Sequence, residues 1–181
     1  MITLSKEQVK RLHSLLLEQT GGMDGIRDEG LLDSALASAF HSFDDEDLYP
    51  SVVAKIARIT FSLVINHAFV DGNKRIGTYV MLVLLDLNRI AAEFSDEDVI
   101  RIGLGLAAGQ MSYEQLLTLL LERIACDRHP PDHASGLSNQ WCQRRSEKHQ
   151  FGDITKNKGI YLPPGRYQAP IDRAGNLCFE G

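Results

Sequence analysis

The stretch of residues 76–87 constrains the fold more than any other part of this chain, because it is apolar on nearly every side when it is drawn as a helix. Such a helix is stable only when other elements surround it, so the stretch predicts the central helix of a helical domain. A second apolar run, residues 51–66, comes shortly before it and predicts another long core helix.

The segment that joins these two runs, residues 67–75, is rich in polar side chains. It reads His-Ala-Phe-Val-Asp-Gly-Asn-Lys-Arg. A buried polar group costs free energy unless it is paired. An imidazole, a carboxylate, an amide, an amine and a guanidinium between two core helices therefore predict a functional site rather than part of the core.

The first half of this segment offers a base and a metal ligand. His67 is a candidate general base near neutral pH. Asp71 provides the hard oxygen ligands that Mg²⁺ prefers beside phosphates and waters. Phe69 is the large apolar residue expected to anchor the segment to the core.

The second half offers an anion site. Gly72 allows the backbone to turn and a ligand to approach closely. Asn73, Lys74 and Arg75 open the next helix, whose N-terminal N–H groups and dipole favour phosphate. Asn73 alone could also be a simple helix cap. Base, metal carboxylate and anion site together predict the transfer of a phosphate-containing group to a hydroxyl.

The segment resembles the signature of the Fic/Doc superfamily, His-Pro-Phe-x-Asp/Glu-Gly-Asn-Gly-Arg-x-x-Arg. The chain departs from it three times: Ala68 replaces the proline, Lys74 replaces the second glycine, and Thr78 stands at the second arginine. The last two departures are typical of the death-on-curing (Doc) toxins. Residues 25–37, Gly-Ile-Arg-Asp-Glu-Gly-Leu-Leu-Asp-Ser-Ala-Leu-Ala, are similar to the same families, and the resemblance covers about residues 4–125.

The resemblance implies an all-α, Fic/Doc-like bundle with a Doc-type kinase activity. It implies that ATP and Mg²⁺ are cofactors, that the γ-phosphoryl group goes to a hydroxyl of elongation factor Tu or another translation factor, and that a separate antitoxin restrains the protein. The implied assignments are catalysis by His67, Lys74 and Arg75, nucleotide binding by Gly72, Asn73, Lys74 and Arg75, and metal binding by Asp71. The alternatives are AMP transfer with Lys74 merely tolerated, and an antitoxin-binding module with weak catalysis.

Capping signals and apolar periodicity predict about six helices and no strand before Cys126. Ser5 and Ser112 each stand three residues before a glutamine, as in a capping box, and Asp28 and Ser95 are candidate N-caps. The acidic residues 44–47 predict a solvated loop. Arg27 is predicted to form a surface ion pair with a nearby carboxylate.

Composition limits the class of protein. The net charge of −5 argues against direct nucleic-acid binding, and no apolar run is long enough to span a bilayer. The N-terminus lacks the form of a signal peptide, so a cytoplasmic protein without membrane contact is expected.

A change of composition at Cys126 predicts a domain of residues 1–125 and an extension of residues 126–181. The extension is basic and rich in polar residues, which favours a partly ordered tail. Its potential zinc ligands are too loosely spaced to favour a zinc module; they are Cys126, His129, His133, Cys142, His149 and Cys178.

Overall fold

Six α-helices carry almost all of the regular structure in residues 1–125, the part of the chain that this computed structural model describes. The predicted all-α class and the number of helices are confirmed. The elements in chain order are α1 (Lys6–Thr20), α2 (Glu29–Ala37), a 3₁₀ turn (Ser38–Phe40), β1 (Ser42–Phe43), β2 (Glu46–Asp47), α3 (Val52–Ile65), α4 (Asn73–Leu87), α5 (Asp96–Ala107) and α6 (Tyr113–Ala125).

Helix α4 is the central helix, as its sequence predicts. All of its fifteen residues are buried except Lys74, Tyr79 and Asp86. It packs against α1, α3 and α5. Gly77 lets α3 approach closely, because a Cβ at this position would collide with the side chain of Val64. The candidate site thus begins on the best-packed helix of the domain, where geometry is most rigid.

The predicted helix starts are confirmed by the observed caps. Ser5 and Gln8 exchange reciprocal side-chain bonds at the start of α1, and the side chain of Asp28 accepts the N–H of Leu31 at 3.1 Å. Ser95 begins α5 in the same reciprocal way. At Ser112, the N–H donates to the Gln115 side chain at 2.8 Å, and the Gln115 N–H donates back at 3.3 Å. These sequence signals work because each cap involves residues only three apart.

The acidic segment forms a short hairpin, so the prediction of no strand in this region is wrong. Strands β1 and β2 pair antiparallel, with Ser42 opposite Asp47. Asp44 and Asp45 lie at the turn with φ of 54° and 62°, which is the geometry of a type I′ turn. Aspartate tolerates left-handed backbone well, and strands of two residues are too short to show an alternating pattern.

No helix in residues 1–125 has the length and hydrophobicity needed to cross a membrane. The predicted extension, with its cysteines and histidines, lies outside the described residues.

Candidate active site

His67 lies one residue beyond the end of α3, where the chain turns sharply. Asn66 is the C-cap of α3, and His67 follows with a φ of 51°. A left-handed residue at this position commonly ends a helix, although it is usually glycine. A non-glycine side chain there costs about 1 kcal/mol or more, so neighbouring contacts must hold it. The imidazole is exposed and lines a cavity.

A short antiparallel pairing with residues 25–28 holds the backbone of this loop. A β-bridge joins Ile26 to Phe69. The carbonyl of Ala68 accepts two N–H groups, from Arg27 at 2.8 Å and from the following residue at 3.1 Å. The pairing fixes the loop from a distant part of the sequence and brings Arg27 to the site.

Phe69 anchors the loop, as predicted, and Asn73 locks it. The Phe69 side chain is 1% exposed. The Asn73 side chain accepts the Phe69 N–H at 2.9 Å and donates to the Phe69 carbonyl at 2.9 Å. This side chain is therefore committed to the loop, and only the backbone N–H of Asn73 is left to serve an anion. The N-cap of α4 is Gly72, with a φ of 77° and no side-chain cap.

His13 of α1 supports the loop from the core, and sequence reasoning missed it. Its side chain is buried, and its ring stacks on Phe69 with centroids 4.0 Å apart. Nε2 lies 2.8 Å from the carbonyl oxygen of Asp71, which only accepts, so Nε2 carries a proton. Nδ1 lies 3.3 Å from a carboxylate oxygen of Asp24. The only signal in the sequence was a histidine within the apolar stripe of α1.

Asp71 is held as a carboxylate. Its Oδ1 accepts the N–H of Gly72 at 2.6 Å, and its Oδ2 accepts from Arg75 Nη2 at 3.2 Å. Burial raises the pKa of Asp71, but the backbone N–H groups of Gly72 and Met23 and the charge of Arg75 outweigh it, so the pKa lies below its usual value. The group is therefore ionised at neutral pH, as a ligand for Mg²⁺ must be.

Arg75 joins the end of α1 to the loop. Its Nη1 donates to the hydroxyl of Thr20 and to the carbonyl of Gly21, the latter at 2.6 Å. Its side chain is only 11% exposed. A Cβ on Gly22 would come within 2.5 Å of Asp71 Oδ2 and 3.0 Å of Arg75 Nη2. These hydrogen bonds of Arg75 position Asp71 and the end of α1. Arg75 also lines the cavity.

All six predicted site residues line one cavity of about 460 Å³. Its walls are Arg27, His67, Val70, Asp71, Gly72, Asn73, Lys74, Arg75 and Ala107. The wall contains three cationic side chains, Arg27, Lys74 and Arg75, and one carboxylate, Asp71. Residues 1–125 as a whole contain 11 Lys/Arg and 18 Asp/Glu, which gives a formal charge of −7. Within residues 1–125, the Lys74 ammonium has no hydrogen-bond or ion-pair partner. The cavity wall thus has a local excess of positive charge, although residues 1–125 as a whole are acidic.

Arg27 does not form the surface ion pair that the sequence predicts. It has no carboxylate partner in residues 1–125, and it faces the cavity instead. The predicted surface ion pair is therefore wrong, because the adjacent acidic side chains are bound elsewhere.

Thr78 is buried, and its hydroxyl donates to the carbonyl oxygens of Lys74 and Arg75, both at 3.1 Å. The position at which the superfamily signature has its second arginine thus contributes nothing to the cavity wall.

The donor set fits Mg²⁺ held partly by a nucleotide. Asp71 is the one carboxylate on the cavity wall, and no group of three His, Cys, Asp or Glu side chains able to hold a metal occurs in residues 1–125. Mg²⁺ is commonly bound by one or two carboxylates together with waters and substrate phosphates. A site that a protein builds alone, as for structural zinc, requires more ligands.

Two comparisons with known proteins agree with this geometry. The sequence model of the Fic/DOC family matches residues 3–85, which include every cavity residue except Ala107. The curated protein "Toxin Doc" of Mycolicibacterium smegmatis is 41% identical over 76 residues. That match covers 41% of this chain and 58% of the toxin, so the chain spans somewhat more than half the length of this relative. Residues 3–85, which contain the signature segment that lines the cavity, are thus similar to the Fic/DOC family.

Proposed function

We propose that this protein is a toxin of a toxin–antitoxin system, and that it is a protein kinase which transfers the γ-phosphoryl group of ATP to a hydroxyl of a translation factor. The name of its relative, "Toxin Doc", supports the class of toxin. The observation that carries the chemistry is one cavity with an exposed imidazole, an ionised carboxylate and, at the N-terminus of α4, an ammonium without a partner in residues 1–125.

His67 is suited to be the general base. Its imidazole makes no hydrogen bond within residues 1–125, so a nitrogen is available to a substrate hydroxyl. In the proposed step, His67 takes the proton of the hydroxyl while the hydroxyl oxygen forms a bond to the γ-phosphorus. The bond from the γ-phosphorus to the β–γ bridging oxygen breaks, and ADP leaves.

The start of α4 is suited to hold the phosphates. Lys74 supplies an ammonium that has no partner within residues 1–125, and the first N–H groups of the helix have no partner within the helix. Arg75 holds Asp71 in place by the 3.2 Å ion pair. Asp71 would hold Mg²⁺, which would neutralise part of the phosphate charge when bound.

Lys74 favours γ-phosphoryl transfer over AMP transfer. In the Fic signature a glycine at this position leaves room for the phosphates in the pose used for AMP transfer. Here a lysine, half-buried at the cavity wall, takes up that room. The resemblance to Doc toxins also supports elongation factor Tu as the target, a separate antitoxin as the partner and the cytoplasm as the place of action.

A double-label experiment tests this function. The full chain is incubated with elongation factor Tu, Mg²⁺ and ATP labelled at either the α or the γ phosphate. We expect label from the γ position alone. Label from the α position would establish AMP transfer instead. No label on elongation factor Tu but γ label on another protein of a cell lysate would change the target only, and no label in the lysate would support the antitoxin-binding module.

A further inference from the structure

We propose that Arg27 is a second phosphate-binding side chain of the cavity, which contacts the phosphate chain of the nucleotide together with Lys74. The inference rests on the proposed function, because it names a further contact for the same ligand. Arg27 lies 40 residues before the signature segment, and the sequence predicts only a surface ion pair for it.

The backbone of Arg27 is fixed against the active-site loop. Its N–H donates to Ala68 at 2.8 Å, directly beside His67. On the other side of the bridge, Gly25 accepts the N–H of Val70 at 3.0 Å. Gly25 has a φ of 139°, and a Cβ there would approach Val70 Cγ2 to 3.2 Å, so the two segments are closely apposed. Arg27 therefore projects from a rigid support rather than from a mobile turn.

The carboxylates next to Arg27 in sequence are bound to other groups. Asp28 caps α2 through the N–H of Leu31 at 3.1 Å. Glu29 forms ion pairs with Lys10 at 2.6 Å and Lys6 at 3.4 Å. These arrangements draw both acids toward α1 and α2 and away from the guanidinium.

The two other nearby carboxylates are also engaged. Asp24 accepts from the Ser14 hydroxyl at 2.8 Å and from the Gly25 N–H at 2.8 Å, and it faces His13. Asp71 pairs with Arg75. Arg27, which is exposed and lines the cavity, thus has no carboxylate partner within residues 1–125.

Two cations without a carboxylate partner in residues 1–125 line one cavity, and this arrangement favours an anionic ligand. The like charges of Arg27 and Lys74 repel each other, so the arrangement favours a ligand with several negative charges. A guanidinium presents a planar fork of donors that matches phosphate oxygens, while an ammonium binds them as a point charge. A nucleotide triphosphate chain has this multiplicity, and the free N–H groups of α4 suit the same ligand.

The test measures binding by calorimetry, in the full chain with His67→Ala to prevent turnover. The probes are ATP and inorganic triphosphate, and the variants are Arg27→Ala and Arg27→Lys. The control, Arg89→Ala, removes the same charge at the opposite end of α4, about 22 Å away along the helix. We expect Arg27→Ala to weaken both probes about tenfold, Arg27→Lys to restore part of the loss, and Arg89→Ala to change little.

The outcomes separate this inference from the proposed function. If the His67→Ala chain binds ATP and triphosphate equally tightly with and without Arg27→Ala, the inference is overturned. In that case, label transfer by the wild-type chain would still support the kinase. Triphosphate binding that depends on Arg27, without label transfer from ATP, would support the anion contact and overturn the kinase. No binding of either probe to any variant would overturn both.

Discussion

The ring of His13 lies nearly parallel to the ring of Phe69, with centroids 4.0 Å apart and planes inclined by 19°. The same imidazole donates to the carbonyl oxygen of Asp71, a residue 58 positions later in the sequence. Helix α1 thereby supports, at two points, the loop that joins α3 to α4. The geometry of Asp71 consequently depends on a residue outside the signature segment.

Replacing this support should destabilise the fold and the site together. His13→Ala removes a buried, stacked ring and leaves the Asp71 carbonyl without its donor. We expect the free energy of unfolding to fall by about 3 kcal/mol, measured by urea denaturation. His41→Ala, at an exposed histidine, is the matched control and should change it by less than about 0.5 kcal/mol. Equal stabilities of the two variants would contradict this role of His13.

Gly22 should be required for the geometry of the Asp71–Arg75 pair. Gly22→Ala places a Cβ within 2.5 Å of Asp71 Oδ2, so the carboxylate must shift. We expect label transfer to fall at least tenfold, a loss typical of small displacements in a catalytic site. Gly22 has a φ of 133°, and the control is Gly109→Ala, since Gly109 also has a positive φ, 68°, a Cβ there meets nothing within 4 Å, and it does not contact the Asp71–Arg75 pair. If both variants lose equal activity, backbone strain rather than contact with Asp71 is the cause.

Gly77 should be required for the close packing of α3 against α4. Gly77→Ala drives a methyl group into the side chain of Val64. Overpacking of this kind costs about 1–3 kcal/mol, measured as a loss in the free energy of unfolding. The double variant Gly77→Ala/Val64→Ala should lose less than the sum of the two single variants. Strict additivity would show that the crossing accommodates the methyl group in another way.

Asp98 should stabilise the domain in a pH-dependent manner. It is buried and accepts from Arg123 Nη2 at 2.6 Å. Burial raises the pKa of Asp98, but the hydrogen bonds from Arg123 and Ser95 outweigh it, so the pKa lies below the ordinary value of 3.8. A carboxyl whose pKa is lower in the folded state stabilises that state above the unfolded pKa, and the contribution is lost as the pH falls through the folded pKa.

Asp98→Asn tests this dependence. At pH 7 we expect the variant to lose about 2 kcal/mol of the free energy of unfolding. The difference from the wild-type chain should be constant down to about pH 5 and should shrink below about pH 4. Chemical denaturation at pH 7 and pH 3 measures it. A difference of the same size at both pH values would mean that the ionised carboxylate is not its source.

The sequence predicts the parts of this structure that depend on nearby residues. The helix caps at Ser5 and Ser95 involve side chains three positions apart. The apolar character of α4 on nearly every side follows from one contiguous stretch, residues 76–87. The cavity residues from His67 to Arg75 were found because one short segment and one turn of helix bring them together.

The parts that were missed depend on distant contacts. His13, Arg27 and Gly22 reach the loop from residues 40 to 58 positions earlier, and nothing in their own surroundings in the sequence indicates those partners. The role of the Asn73 side chain was also not predicted, because its hydrogen bonds depend on the fold of the loop back onto Phe69.

The rate of γ-label transfer to elongation factor Tu by His67→Ala is the most direct test of His67 as the base of a phosphoryl transfer. His67 is exposed and outside the core, so we expect thermal unfolding to match that of the wild-type chain while the rate falls by about 10²–10⁴-fold, the usual contribution of a general base. His41→Ala should retain the wild-type rate. A His67→Ala variant that keeps its fold and transfers γ label at the wild-type rate would contradict the role of His67 as the base.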